Sequence, residues 1–187
     1  LVYEVGLSLA ETNIDWTVLS SLNRQILDPK VDRYFFIEDP VKIQIKNAPE
    51  QTVKLKLHPD FEERGFREIK TNEFFYVEKN DYNKFTEGSL IRLMDCLNFI
   101  KKDDEFIFHS LDYQKFRENG DKIIHWLAAD ETVEVSIRMP DNRVIKGIGE
   151  SNIKNLKQGD IIQFARFGFC RLDNIDDNKY EFWFTHK

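Results

Sequence analysis

Cysteine is scarce in this chain of 187 residues: there are two, Cys96 and Cys170. Neither belongs to a C-x-x-C or C-x-x-H pair, which excludes the ordinary structural zinc sites. Both lie in apolar runs, where buried free thiols of a reducing compartment are expected. No apolar run approaches the ~20 residues that a membrane span needs. The opening residues, Leu1 to Glu11, show no basic n-region and no cleavage site, so no secretory leader is read. Phosphate-cradling and nucleophile motifs are missing too: no G-x-G-x-x-G, G-x-x-x-x-G-K-[ST], G-x-S-x-G or H-E-x-x-H occurs. The histidines His58, His109, His125 and His186 are scattered, with no helical or strand pairing. A catalytic carboxylate pair needs a cleft that separates two pKa values, and neither Asp103-Asp104 nor Asp176-Asp177 marks one. Positive charge is not in excess, since the net charge is −6. That argues against a generally adhesive nucleic-acid coat and leaves room for a local basic face. The sequence reads as a protein that binds.

What is present is a globular composition, 41% hydrophobic and 32% charged, and enough chain for one large or two small cores. The chain opens without Met on an apolar, helix-like stretch, which reads as a piece of a longer protein. Asn13 is placed to cap a helix carrying Trp16, Val18, Leu19, Leu22 and Ile26 on one side, stopped by Pro29. From Val41 onward the period becomes two, in runs such as "VKIQIKN", "TVKLKLHP", "EFFYVE", "EFIFHSL", "TVEVSIRM" and "YEFWFTH". Turn signals separate them, among them His58-Pro59-Asp60, Glu118-Asn119-Gly120 and Pro140-Asp141-Asn142. About eleven short strands after two helices predict closed barrels, and two of them, since one small barrel needs about six to eight strands. The charge-rich "FEERGFREIK", residues 61–70, reads as an exposed loop.

One stretch carries an unusual pairing of residue types. In "GDIIQFARFGFCRLDN", residues 159–174, alternation sets Ile162 and Phe164 on one face and Gln163 and Ala165 on the other. Gly168 interrupts, so the stretch reads as a hairpin whose loop is Ala165-Arg166-Phe167-Gly168. Gln163 sits beside that loop and Arg166 within it, an amide and a guanidinium presented beyond the tip.

Together with "DRYFFIEDPVKIQIKNAPE", "LHP", "LIRLMD" and "IHWLA", in this order, "LKQGDIIQFARFGF" gives the chain a family likeness. It resembles the C-terminal anticodon-binding region of glutamyl-tRNA synthetases of the archaeal and eukaryotic type, shared with glutaminyl-tRNA synthetases. The resemblance implies two six-stranded β-barrels of the ribosomal-protein L25 type, interleaved by exchange of their first strands, in a mainly β chain preceded by a short α-helical segment. Residues 1–29 would be the helical tail of the preceding stem-contact domain and 30–128 the first barrel. Residues 129–187 would form the second barrel, completed by the strand near 33–47. The HIGH and KMSKS signatures are absent, so the implied role is binding of tRNA(Glu) without charging it, in the cytoplasm. Implied partners are the catalytic half of the same parent chain and, in an organism without a glutaminyl enzyme, tRNA(Gln). ATP and magnesium would serve the parent and no cofactor this part.

The resemblance also assigns residues. The matching glutamine and arginines, Gln163, Arg166 and Arg33, contact the middle anticodon base, a uridine for both glutamate and glutamine. An unstacked uridine offers two carbonyl acceptors and one N–H; arginine donates, and a glutamine amide both donates and accepts. The blander reading has Gln163 bonding backbone and Arg166 lying in solvent. Met94 stands where glutaminyl relatives keep an arginine for the third base, and Ser89 where they keep a lysine. Phe167, at the predicted tip, is a candidate to stack a base, and Lys101 a candidate phosphate contact whose alternative is a solvated charge. Two other classes compete: a protein-docking module of a multi-synthetase assembly, and a ribosomal RNA binder using the same barrel.

Overall fold

The computed structural model describes residues 15–187. Its first helix, α1 (Trp16–Leu27), is capped by Asp15, whose carboxylate accepts from the Thr17 N–H at 3.3 Å. The expected cap Asn13, and the stretch before it, lie outside the described residues. Pro29 sits in a 3-10 turn, Asp28–Lys30, after which Val31 is extended.

The strands follow in order: Arg33–Tyr34 (β1), Phe36–Ile37 (β2), Pro40–Lys46 (β3), Gln51–Lys56 (β4), Phe66–Thr71 (β5), Phe74–Glu78 (β6), Leu90–Leu93 (β7), Asn98–Lys102 (β8) and Glu105–Ser110 (β9). Then come Lys122–Ile124 (β10), Leu127–Ala128 (β11), Thr132–Arg138 (β12), Val144–Glu150 (β13), Ile161–Phe164 (β14), Gly168–Asp176 (β15) and Lys179–His186 (β16). Short helices α2 (Lys79–Tyr82) and α3 (Tyr113–Asn119) interrupt them.

One sheet has seven segments in the order β10-β7-β8-β9-β3-β6-β11. Its two ends, β10 and β11, are halves of a single stretch parted only by His125 and Trp126. The row therefore returns on itself, and a barrel of six strands results. The second sheet, β1-β14-β15-β16-β12-β13-β2, closes the same way, with β1 and β2 parted by Phe35. Side-chain hydrogen bonds to the backbone anchor both breaks. Phe35 N–H donates to Glu150 Oε2 at 3.0 Å, Trp126 Nε1 donates to Met94 O at 2.9 Å, and His125 Nε2 lies 3.0 Å from Phe36 O.

Both barrels follow one plan. In the first, β10 runs parallel to β7 and β3 parallel to β9; in the second, β1 runs parallel to β14 and β12 parallel to β16. Stretches 33–46 and 122–138 are thus equivalent, and each gives its first half to one barrel and its second half to the other. Ile45, Phe75, Phe99 and Trp126 fill the first core and Phe164, Cys170, Leu172 and Phe182 the second. Phe35 and Ile37, though on the strand that closes the second barrel, pack into the first core.

Two expectations change. Of residues 61–70, only 61–65 are a connection, with a 3-10 turn at Glu62–Arg64; Phe66–Thr71 is β5, paired with β4 through Leu55↔Arg67. Its exposure strictly alternates, with Arg67, Ile69 and Thr71 buried, and the charges on both faces hid that period. The hairpin loop of 165–168 is one residue shorter, because Gly168 already pairs with Phe164. Helix α3 went unread, although Asp112 caps it through Gln114 N–H at 2.8 Å and Gly120 ends it. Among the described residues no helix is long and apolar enough to cross a membrane.

Candidate nucleic-acid interface

Arg33 and Gln163 are register partners in the parallel pair of β1 and β14. Their neighbours Tyr34 and Phe164 point into the core, so the pleat turns both polar side chains outward together. The strand then enters a tight turn closed by Phe167 N–H to Phe164 O at 3.0 Å, while Ala165 N–H donates to Tyr34 O at 2.9 Å. Arg166 occupies its apex with φ 65°, a left-handed conformation seldom adopted by a residue with a Cβ. The first barrel repeats the device. Cys96 N–H donates to Leu93 O at 3.0 Å, Met94 N–H to Ile124 O at 2.8 Å, and Asp95 holds the apex with φ 55°.

These two turns line one cleft of about 680 Å³ between the barrels, and Lys54, Lys56 and Arg67 of the β4–β5 hairpin line it as well. The hairpin is fixed by a buried ion pair: Arg67 Nε lies 2.6 Å from Glu150 Oε1, and Arg67 Nη1 donates to Lys56 O at 2.6 Å. The same guanidinium stands 5.0 Å over the Phe35 ring. Burial pushes the Glu150 carboxyl up from its ordinary pKa, against the opposing pull of Arg67.

Arg33 is held on one side only. Its Nη2 donates to Asp28 Oδ1 at 3.1 Å and lies 3.4 Å from Nε2 of His58, which is fully buried. His58 Nδ1 accepts from Asp60 N–H at 3.1 Å, so in the neutral ring Nε2 carries the proton and cannot accept from Arg33. That proton faces Asp28 Oδ2, 3.8 Å away. Arg33 Nε, in contrast, is buried without an acceptor among the described residues, and Gln163 Oε1 is buried without a donor. A donor and an acceptor left open on adjacent strands, both on residues lining the cleft, need solvent or a ligand to complete them.

Arg166 ties the barrels together. Its Nη2 donates to Ile123 O at 2.6 Å, and its Nη1 lies 3.5 Å from Asp81 Oδ2, whose other oxygen pairs with Lys122. The side chain remains 43% exposed, so it keeps donors for a ligand. Burial first, and the Arg166 charge second, lower the pKa of His125 at this junction.

Of the residues singled out by sequence, Arg33, Gln163, Arg166 and Met94 therefore meet in one cleft. Phe167 and Lys101 lie outside it. Phe167 is half-buried, set edge-on against Phe36 at 5.4 Å and Phe184 at 5.8 Å, so it presents less ring than its position at the tip suggested. Lys101 Nζ pairs with Asp104 at 3.3 Å. The Ser89 hydroxyl donates to Thr86 O at 2.6 Å. Sequence reasoning missed Arg67, Lys54 and Lys56, which sit on a hairpin inserted between β3 and β6. It also missed Asp95, whose only signal is its place beside Met94 in a turn.

A double barrel with a basic cleft at its seam defines a class. Residues 31–115 match the family described as tRNA synthetases class I (E and Q), anti-codon binding domain, and residues 123–173 match a second family of the same description. The chain belongs to this anticodon-binding family. Among individual proteins, it is 39% identical over its whole length to the glutamate–tRNA ligase of Pyrococcus abyssi (strain GE5 / Orsay). It is 37% identical to that of Thermococcus kodakarensis and 36% to that of Methanobrevibacter smithii, again over the whole chain. The chain spans about a third of the length of these relatives, 33–34%.

Proposed function

We propose that this chain is the anticodon-reading region of a cytoplasmic glutamate–tRNA ligase, and that Arg33, Gln163 and Arg166 read the middle uridine of tRNA(Glu). The observation that carries the reading is the meeting of Arg33, Gln163 and Arg166 in one cleft, with Arg33 and Gln163 as register partners on neighbouring strands. Uridine's Watson–Crick edge is acceptor, donor, acceptor; Gln163 Oε1 takes the central N–H, and Arg33 and Arg166 supply donors to the flanking carbonyls. Lys54 and Lys56 line the same cleft and, on this reading, would hold phosphate. The curated relatives are ligases, which favours this reading over a docking module or a ribosomal RNA binder. On this reading ATP and magnesium act in the catalytic half of the parent chain, and tRNA(Gln) is a second ligand only if the third base is read loosely.

The test is binding of glutamate tRNA transcripts carrying either uridine or cytidine at the middle position. Cytidine reverses two of the three groups, placing an amine where uridine has the C4 carbonyl and a bare acceptor at N3, and should weaken binding by about 1–3 kcal/mol, the range for a wrong base at a hydrogen-bonded site. Equal affinity for the two would rule the reading out.

A further inference from the structure

The β4–β5 hairpin brings to the cleft an aromatic ring that neither barrel uses. Phe66 opens β5, and its companions on the exposed face of that strand are Glu68 and Lys70. Set among such charges, Phe66 is 54% exposed and belongs to neither core. Phe74, the other exposed phenylalanine among the described residues, has the Lys42 ammonium 4.9 Å over its ring. Phe66 has no such cover among them. It lines the cleft together with Lys54 and Lys56, and Lys56 is its register partner. Backbone bonds tie this end of the hairpin to the reading strand: Arg33 N–H donates to Leu57 O at 2.8 Å, and Leu57 N–H to Gly65 O at 3.0 Å. Phe66 therefore stands two strand spacings from Arg33, roughly 10 Å, on the wall of the same cleft.

A base held by its Watson–Crick edge still has two open ring faces, and an exposed phenyl ring within reach can cover one of them. We propose that Phe66 stacks on the middle anticodon base whose edge Arg33, Gln163 and Arg166 hold. The inference rests on the reading proposed above for the cleft. Charge selects the class of ligand: five basic residues line the cleft against the single acidic Asp95, which suits a polyanion. A nucleotide brings all that this wall can use: phosphate for Lys54 and Lys56, a flat face for Phe66 and a polar edge for Gln163. An acidic peptide would match the charge and supply no such edge. The two kinds of contact divide the work. Edge contacts choose the base, whereas stacking accepts any base, because every base has a π-face. Phe66 thus adds affinity without adding discrimination.

The test measures affinities of the wild-type full chain, Phe66→Ala and Phe66→Trp for glutamate tRNA transcripts at fixed salt. The transcripts carry uridine, cytidine or an abasic nucleotide at the middle anticodon position. Phe66→Ala should weaken binding of the uridine transcript roughly 5- to 150-fold, the span of one stacked base, and Phe66→Trp should restore it. The preference for uridine over cytidine should persist in Phe66→Ala, which also shows that the variant is folded. On the abasic transcript Phe66→Ala should cost nothing, since no base is left to stack. An equal loss on the abasic transcript overturns the inference, because the ring then supports the backbone or the fold. Undiminished binding of the uridine transcript by Phe66→Ala overturns it too, and assigns the ring to another partner such as an acidic peptide. If wild type binds the uridine and cytidine transcripts equally, it is the proposed function that fails, and the inference falls with it.

Discussion

At the scale of single residues, the cleft depends on groups that do not touch a ligand. Glu150, 1% exposed, binds Arg67 and the N–H of Phe35 at the strand break. Replacing it with Ala leaves the Arg67 guanidinium buried and unpaired, which should cost about 3–5 kcal/mol in urea unfolding. Replacing both residues by Leu should cost less than that single change, since no lone charge is left; a double variant as unstable as the sum of two singles would contradict this. Gln163 and Arg166 were legible as polar residues inside an apolar hairpin, and Arg33 through family likeness. What the sequence hid is how they are held. The approach of Arg33 to the buried His58 joins positions 25 apart, which no local pattern encodes.

Among elements, strand existence followed from period-two alternation, which is why β3, β4, β6, β9, β12 and β16 fall where the runs were read. The run "LIRLMDCLNFI" reads by sequence as one strand but folds as the β7–β8 hairpin, because its turn residues, Met94, Asp95 and Cys96, include no glycine to mark the turn. The turn needs only one left-handed residue, and Asp95 takes that conformation itself. Closure of the barrels was also illegible locally, since β1 and β2 span two residues each and only their distant partners define them. The crossing from β2 towards β3 passes very close to β13 at Gly147, where a Cβ would meet Ile37 O and lie 2.9 Å from Glu38 Cα. Gly147→Ala must push backbone from backbone, and should lower stability by about 1–3 kcal/mol, as other overpacking changes do. Thermal unfolding followed by circular dichroism checks it; an unchanged midpoint would mean that the crossing yields freely.

On the scale of the whole molecule, stretches 33–46 and 122–138 each belong to both barrels, so neither barrel can close without chain from the other half. Unfolding should therefore be a single cooperative event. Trp126 reports on the first core and Trp183 on the outside of the second barrel. Denaturation of the unaltered chain followed by tryptophan fluorescence and by far-ultraviolet circular dichroism should give the same midpoint, and separated midpoints would show independent barrels. The double-barrel class was legible from strand count and likeness. The near-identity of the two barrel plans was not, because the β4–β5 hairpin and α3 break any fixed sequence period. That duplication sets two equivalent turns across one seam, and it places Arg166 of one turn and Met94 and Asp95 of the other in a common cleft.

The central claim is that Gln163 and its partners read a base and do more than position a backbone. Gln163 suits the test better than Arg166, because its Oε1 has no partner to lose within the described residues, whereas Arg166 also bonds Ile123 O. The measurement is a double-mutant cycle in tRNA binding, Gln163→Ala against uridine-to-cytidine at the middle anticodon position, at fixed salt. The account predicts that each change alone weakens binding by about 1–3 kcal/mol and that the pair costs clearly less than the sum, since the second change removes a contact already gone. Losses that simply add would contradict it, and would leave the cleft as a place where RNA is held but not read.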